Sequence, residues 1–245
     1  KILSRGYGIA VIYYCDIEPD FPGGIKYGVR SHYLQPGQTD VAPDQWGAIA
    51  AWAWGLSRAM DYLLTDPNVD GQRVMIVGQS RLGKTVAWEM AADTRFAMGF
   101  ASCSGCGGEK LSRRDYGETV YDLNHNYSYQ FCTNFHKFGA DTAALPMDSH
   151  ELIALAAPRP LFLNTGSLDQ WSDPHGEFLA AVAATPVYHL FGEKGIETDQ
   201  FPPLDHPILN PLGFQCHTGK HDILPTDWDV FMDDADKNLK PVDQQ

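Results

Sequence analysis

A serine between two glycines, followed by a run of helix-forming residues, is the arrangement in this chain best suited to covalent chemistry. In Val74–Val86, VMIVGQSRLGKTV, the apolar residues Val74, Met75, Ile76 and Val77 read as a buried strand. Ser80 follows on a sharp turn flanked by Gly78 and Gly83, and a helix is predicted from Arg81. A serine held there is a nucleophile candidate, and the N–H groups of the helix start point at any oxyanion forming beside it. The spacing is G-x-S-x-x-G rather than the commoner G-x-S-x-G, so the motif alone is moderately specific.

Serine needs a base to take its proton and an acid to fix the tautomer of that base. In the order serine, acid, histidine, two histidines of GFQCHTGKHDILPTDW stand in the last loop before the closing helix: His217 and His221. His221 is the stronger candidate because it immediately precedes that helix. For the acid, SLDQWSDPHGE follows a predicted strand, and Asp169 lies directly past its end. Asp173 and Glu177 enter the next helix, where an acidic first turn suits the macrodipole without any catalytic role. Cys103 and Cys106 form a C-x-x-C pair with no second pair and no histidine at ligand spacing, which reads as structural thiols. No metal or other cofactor is predicted.

The elements that must position these residues alternate in type. Strands are predicted at Gly8–Tyr14, Val74–Val77, Met98–Ser102, Leu161–Thr165 and Val187–Phe191. Helices are predicted over 44–64, 81–92, 148–156, 174–184 and 223–238, with Pro174 opening the fourth and Pro225-Thr226-Asp227 near the start of the fifth. Trp46, Trp52 and Trp54 are expected to pack in the core from the first of these helices. The polar, aromatic stretch 111–146 has no clean period and reads as an insertion covering the site. This alternation predicts one α/β domain over residues 1–245, with a mostly parallel sheet and helices on both faces.

Bulk properties narrow the partners. Lys and Arg total 18 against 31 Asp and Glu, a formal charge of −13 that opposes nucleic acid. No apolar segment reaches the roughly 18 residues of a membrane helix. Five cysteines, an odd number, show no disulfide framework.

Several pieces in fixed order resemble the glucuronoyl esterases, serine esterases of the α/β-hydrolase fold, in particular their bacterial branch. They are GQSRLGK (78–84), SGCGG (104–108) with LSRR and YGET after it, DSHELIALAAPRP (148–160), DQWSDPHGEF (169–178) and GKHD with a later DW (219–228). Strands normally precede this part of the fold, so the chain is expected to begin inside it. The resemblance implies Ser80 as nucleophile, His221 as base and Arg81 as an oxyanion stabiliser through guanidinium and backbone N–H. It implies Lys84 and Glu118 as contacts to sugar hydroxyls and Trp171 as a wall for the uronate ring. Some members carry the triad acid just before SGxGG, where this chain has Cys103, which leaves Asp169 to serve. Gln130 replaces an aromatic residue of the relatives and alters one wall of the cleft.

The implied substrate is an ester between (4-O-methyl-)glucuronate of xylan and a lignin alcohol. The implied setting is secreted or periplasmic, and a monomer is favoured. The alternatives are another carboxylesterase, such as an acetyl xylan esterase, or a carbohydrate-binding relative that has lost turnover.

Overall fold

The computed structural model describes residues 1–239. Its sheet has four parallel strands in sequential order: β1 (Met75–Gln79), β2 (Met98–Ser102), β3 (Leu161–Gly166) and β4 (Leu212–His217). Parallel neighbours need crossovers, and helices supply them. The helices are α1 (Ala48–Leu63), α2 (Arg81–Ala92), α3 (Val120–Asn126), α4 (Ser149–Ala154), α5 (Pro174–Leu190) and α6 (Pro225–Asn238).

Side-chain alternation along the strands separates two cores. Ile76, Ala101, Leu161, Leu163 and Phe214 face α1, α2, α4 and α5, meeting Met60, Val86, Met90, Ile153 and Phe178. Met98, Phe100 and Phe162 point the other way and pack against Phe231 and Ala235 of α6. Phe100 stacks on Phe231 at 4.6 Å between ring centroids. Helices therefore cover both faces, as an α/β-hydrolase sheet requires. No helix among the described residues is long and apolar enough to cross a membrane.

Three elements differ from the sequence expectation. Gly8–Tyr14 forms no strand; it runs without regular structure into a short 3-10 turn at Tyr14–Asp16, and Val11 is 86% exposed. A strand requires a ladder partner, and β-branched residues alone do not provide one. Val187–Phe191 is also no strand: α5 continues through Pro186 to Leu190 and buries Tyr188, whose hydroxyl donates to the Arg159 carbonyl at 3.1 Å. That burial holds the last turn in the helix despite the N–H missing at Pro186. The strand at the sheet edge is instead Leu212–His217, which contains no β-branched residue. Its Gly213 is needed for packing, because a Cβ there would sit 2.5 Å from the Phe162 ring.

Trp52 of α1 is buried, and its indole N–H donates to the Glu18 carbonyl at 2.7 Å. Trp46 and Trp54 are half-buried and meet Tyr33 edge-on rather than entering the core. The 111–146 segment holds α3 and several single 3-10 turns around a small core of Cys106, Val120, Leu123 and Leu145. Thr119 and Asp122 form a capping box that starts α3.

Candidate active site

Ser80 stands between β1 and α2 with φ 59° and ψ −126°, a conformation L-residues seldom adopt. The turn is fixed at both ends: Ser80 N–H donates to the Ser102 carbonyl at 2.7 Å, and the Ser80 carbonyl accepts from Lys84 N–H at 3.1 Å. Its tightness explains both glycines of the motif. A Cβ at Gly78 would lie 2.3 Å from the Leu82 carbonyl oxygen, and one at Gly83 would lie 2.9 Å from that of Ser102. The strained serine thus points out of the carboxyl edge of the sheet with a helix N-terminus beside it.

A cavity of about 310 Å³ opens there, lined among others by Ser80, Arg81, Lys84, Asp169, Trp171 and His221. Glu118, Tyr127 and Gln130 line it from the 111–146 insertion, so this segment does cover the site. Ser80, Arg81, Lys84, Glu118, Asp169, Trp171 and His221, the residues expected from the sequence to form the triad, stabilise the oxyanion or contact the sugar, all line this one cavity.

Asp169, directly past β3, bonds His221 Nδ1 through Oδ2 at 2.6 Å. This is a short, charge-assisted geometry when the ring is protonated. It leaves Nε2 as the ring position free to serve Ser80. The Asp169 bond raises the His221 pKa above the ordinary histidine value; burial opposes the rise, and the charge of Glu177 adds to it. Burial pushes Asp169 up, but hydrogen bonds from His221 and Ser172 outweigh this and hold its carboxyl below the usual range. Cys103 Sγ lies with the Asp169 carboxylate and the His221 ring inside a 4.8 Å cluster. Burial, with Glu177 and Asp169 nearby, pushes this thiol far above its ordinary value, so it stays protonated. Cys106 points elsewhere, toward the Ser112 hydroxyl at 3.6 Å.

The competing candidates are engaged in other roles. His217 ends β4 rather than lying in a loop, and is buried with Nδ1 3.0 Å from Asp227 and Nε2 3.0 Å from the Lys220 carbonyl. Asp173 caps α5 by accepting from Gly176 N–H at 3.1 Å and pairs with Arg114 at 2.7 Å. Glu177 is fully buried and accepts from Gly105 N–H at 2.8 Å. All five cysteines are free thiols among the described residues.

Arg81 lines the cavity with its guanidinium 5.3 Å from the centre of the Tyr127 ring and an Nη1 bond to Asp20. Asp20 also accepts from Tyr129 at 2.7 Å and from Gln130 at 3.1 Å. Burial works against the Asp20 charge, but Tyr129, Arg81 and Gln130 hold its pKa below the usual range. Asp20 and its tyrosine partner have no sequence signal, since DIEPDFPGG reads only as a turn. Gln130 contributes to the wall and also to this anchoring of Arg81.

Lys84 and Glu118 are buried and pair with each other at 2.7 Å, and Lys84 also donates to the Ser104 carbonyl at 2.5 Å. Trp171 is 47% exposed, so its indole belongs to the cavity wall rather than to the core. A strained serine, a carboxylate-bound histidine and an anchored arginine in one cavity can carry acyl transfer through a stabilised tetrahedral oxyanion.

The family model described as "Glucuronyl esterase, fungi" matches residues 41–192. A carbohydrate esterase from an unknown prokaryotic organism is 46% identical over 239 residues, spanning 98% of this chain and 55% of its own length. The 4-O-methyl-glucuronoyl methylesterase 1 of Wolfiporia cocos is 34% identical over 154 residues, 59% of this chain and 38% of that protein. A solved glucuronoyl esterase from Solibacter usitatus superposes with a TM-score of 0.93 at 47% identity, covering 98% of this chain and 61% of that one. The chain spans 55%, 38% and 61% of the lengths of these three relatives, and it belongs to the glucuronoyl esterase family.

Proposed function

We propose that this chain is the catalytic part of a serine esterase acting on esters of glucuronate, the acyl group being the uronate of glucuronoxylan, often 4-O-methylated, and the alcohol coming from lignin. The observation that carries the proposal is the single cavity in which the strained Ser80, the 2.6 Å Asp169–His221 bond and the anchored Arg81 stand beside Lys84, Glu118 and the exposed Trp171. The name of the Wolfiporia cocos relative supports the ester class.

In the proposed cycle His221 Nε2 takes the Ser80 proton, and Ser80 Oγ adds to the uronate carbonyl. The negative oxygen is held by the α2 N-terminus and the Arg81 guanidinium. Arg81 supplies a charged, donor-only group that Asp20 fixes in place before the reaction, so little reorganisation is required. The protonated His221 gives its proton to the departing alcohol. Water then enters, loses its proton to His221, and releases the uronate from Ser80.

The Lys84–Glu118 pair offers one donor side and one acceptor side to sugar hydroxyls, and Trp171 covers the C–H face of the ring. The net charge of −13 is compatible with this substrate, because an esterified carboxylate is neutral until product forms. A plant cell-wall polymer as substrate favours a secreted or periplasmic setting, and we propose a monomer as the acting form.

The test is hydrolysis of a benzyl or methyl glucuronate ester, acetylated xylan and a short-chain nitrophenyl ester, compared by kcat/KM. The reading predicts clear preference for the glucuronate ester. Preference for acetylated xylan or the nitrophenyl ester identifies a different carboxylesterase, and failure of a serine-directed phosphonate to label the chain identifies a binding protein.

A further inference from the structure

Two glutamates meet beneath the cavity with no cation between them. Glu109 lies in the loop after β2 and Glu177 in the first turn of α5; both are 0% exposed, and their carboxyls are brought together at the adjacent N–H groups of Ser104 and Gly105. Glu177 Oε1 accepts from Gly105 N–H at 2.8 Å, and Glu109 Oε2 is 3.5 Å from Ser104 N–H. The other two oxygens, Glu109 Oε1 and Glu177 Oε2, are buried with no well-formed hydrogen bond, the nearby Thr165 hydroxyl being equally unpartnered.

Ionised carboxylates only accept hydrogen bonds, so two of them facing each other in a dry interior combine like-charge repulsion with unpaired lone pairs. One added proton converts this contact into an O–H···O⁻ bond, the solution that adjacent carboxylates reach generally. The charge of Lys84 acts on Glu109 and favours its ionised form, but the Lys84 Nζ hydrogen bonds run to Ser104 O and Glu118 and not to either carboxyl of the pair. Burial pushes both carboxyls up, and the charge of Glu109 acts further on Glu177.

We propose that Glu109 and Glu177 share a single proton in an acid–carboxylate hydrogen bond that clamps the Ser104–Cys106 turn to α5, and that the one negative charge left on the pair acts on His221 alongside Asp169. The clamp is short in sequence terms: Glu109 N–H donates to Ser104 Oγ at 2.6 Å, and the Ser104 and Gly105 N–H groups turn toward the two carboxyls. Ser104 itself lines the cavity, so the pair are positioning residues for its floor. The groups around them are Lys84 from α2, Cys103 after β2, Thr165 of β3 and Asp169 after β3; those around His221 are Asp169, Glu177, Lys84 and Cys103. That His221 is the base of the reaction rests on the proposed function; the shared proton and its charge do not.

The experiment uses the full chain and the variants Glu109→Gln, Glu177→Gln and the double variant. Infrared difference spectra at neutral pH read a protonated carboxyl band, and ring NMR of His221 reads its titration midpoint without requiring turnover. One shared proton predicts loss of the band in either single variant, because the amide N–H then donates to the remaining carboxylate and one charge survives. The His221 midpoint stays in place in both singles and falls by about 0.5 pH unit in the double variant, where that charge is gone. A midpoint that falls already in each single variant means both carboxyls are ionised. A midpoint unmoved in the double variant means both are neutral. Either result overturns the proposal. If the double variant does not fold, the singles decide: a wild-type-minus-variant spectrum showing no lost carboxyl band, or a shifted midpoint, in either one refutes the shared proton, since the raised carboxyls of Glu89 and Asp234 are common to both spectra and cancel.

Discussion

Replacing Asp169 by asparagine removes a charge while keeping the shape, and its effects can be worked out from the 2.6 Å contact with His221 Nδ1. In the transition state His221 is an imidazolium, and a carboxylate at roughly 4 Å between charge centres is worth about 4 kcal/mol at the effective dielectric of a partly exposed protein site. That energy alone corresponds to about a thousandfold in rate. Asparagine can also turn its N–H₂ toward Nδ1, which places the ring proton on Nε2 and leaves Ser80 without an acceptor. The combined loss in kcat is therefore about 10³- to 10⁴-fold.

Cys103 cannot rescue the variant, because burial, with Glu177 nearby, keeps its thiol protonated. The pH dependence has a definite sign. Asp169 raises the pKa of His221, and only neutral His221 is a base, so the wild-type acid limb lies above the ordinary histidine value. Without the carboxylate that limb moves to lower pH even as the plateau falls. The assay is kcat/KM against pH on a benzyl glucuronate ester, with a thermal melt to confirm folding. A plateau within tenfold of wild type, or an acid limb that stays in place, refutes the assignment of Asp169.

Arg81→Lys keeps the charge and loses the planar fork, so kcat is expected to drop about 100-fold with a smaller change in KM. Asp20→Asn frees the same guanidinium and should lower kcat about tenfold; equal KM and kcat effects in the two variants would point to substrate binding instead. Gly78→Ala forces a Cβ against the Leu82 carbonyl and should cost roughly 2–3 kcal/mol, read as a lower denaturation midpoint. Glu89 is buried beside Ser57 and Asp93, and burial pushes its pKa up to about 7. A raised carboxyl stabilises the fold fully below its unfolded pKa and loses that contribution as pH rises through about 7. Glu89→Gln should therefore gain stability relative to wild type between pH 5 and 8, by at most about 3 kcal/mol, in chemical denaturation at both pH values.

The first three strands were readable because MIVGQ, MGFAS and LFLNTG contain apolar runs bounded by turn residues; MGFAS and LFLNTG are buried on both faces, whereas Val77 of the edge strand MIVGQ is exposed. β4 was not readable: LGFQCH mixes a glycine with two polar residues, and its identity depends on Gly213 fitting against Phe162, a tertiary contact. The apolar run after Pro186 misled for the converse reason, since Tyr188 is buried by helix packing and periodicity cannot distinguish a short buried strand from a helix end.

At the site, the serine, acid and histidine could be placed by chain order, because loops at the carboxyl edge of a parallel sheet converge. The pairing of Lys84 with Glu118 and the anchoring of Arg81 by Asp20 join residues 34 and 61 positions apart. No local pattern signals such contacts.

The most direct test of the account is Ser80→Ala, assayed for release of glucuronic acid from its benzyl ester alongside a thermal melt. The account predicts that release falls to background while the melt stays within a few degrees of wild type, since the change removes one oxygen from the turn. Retained turnover in this variant would contradict the account at its centre.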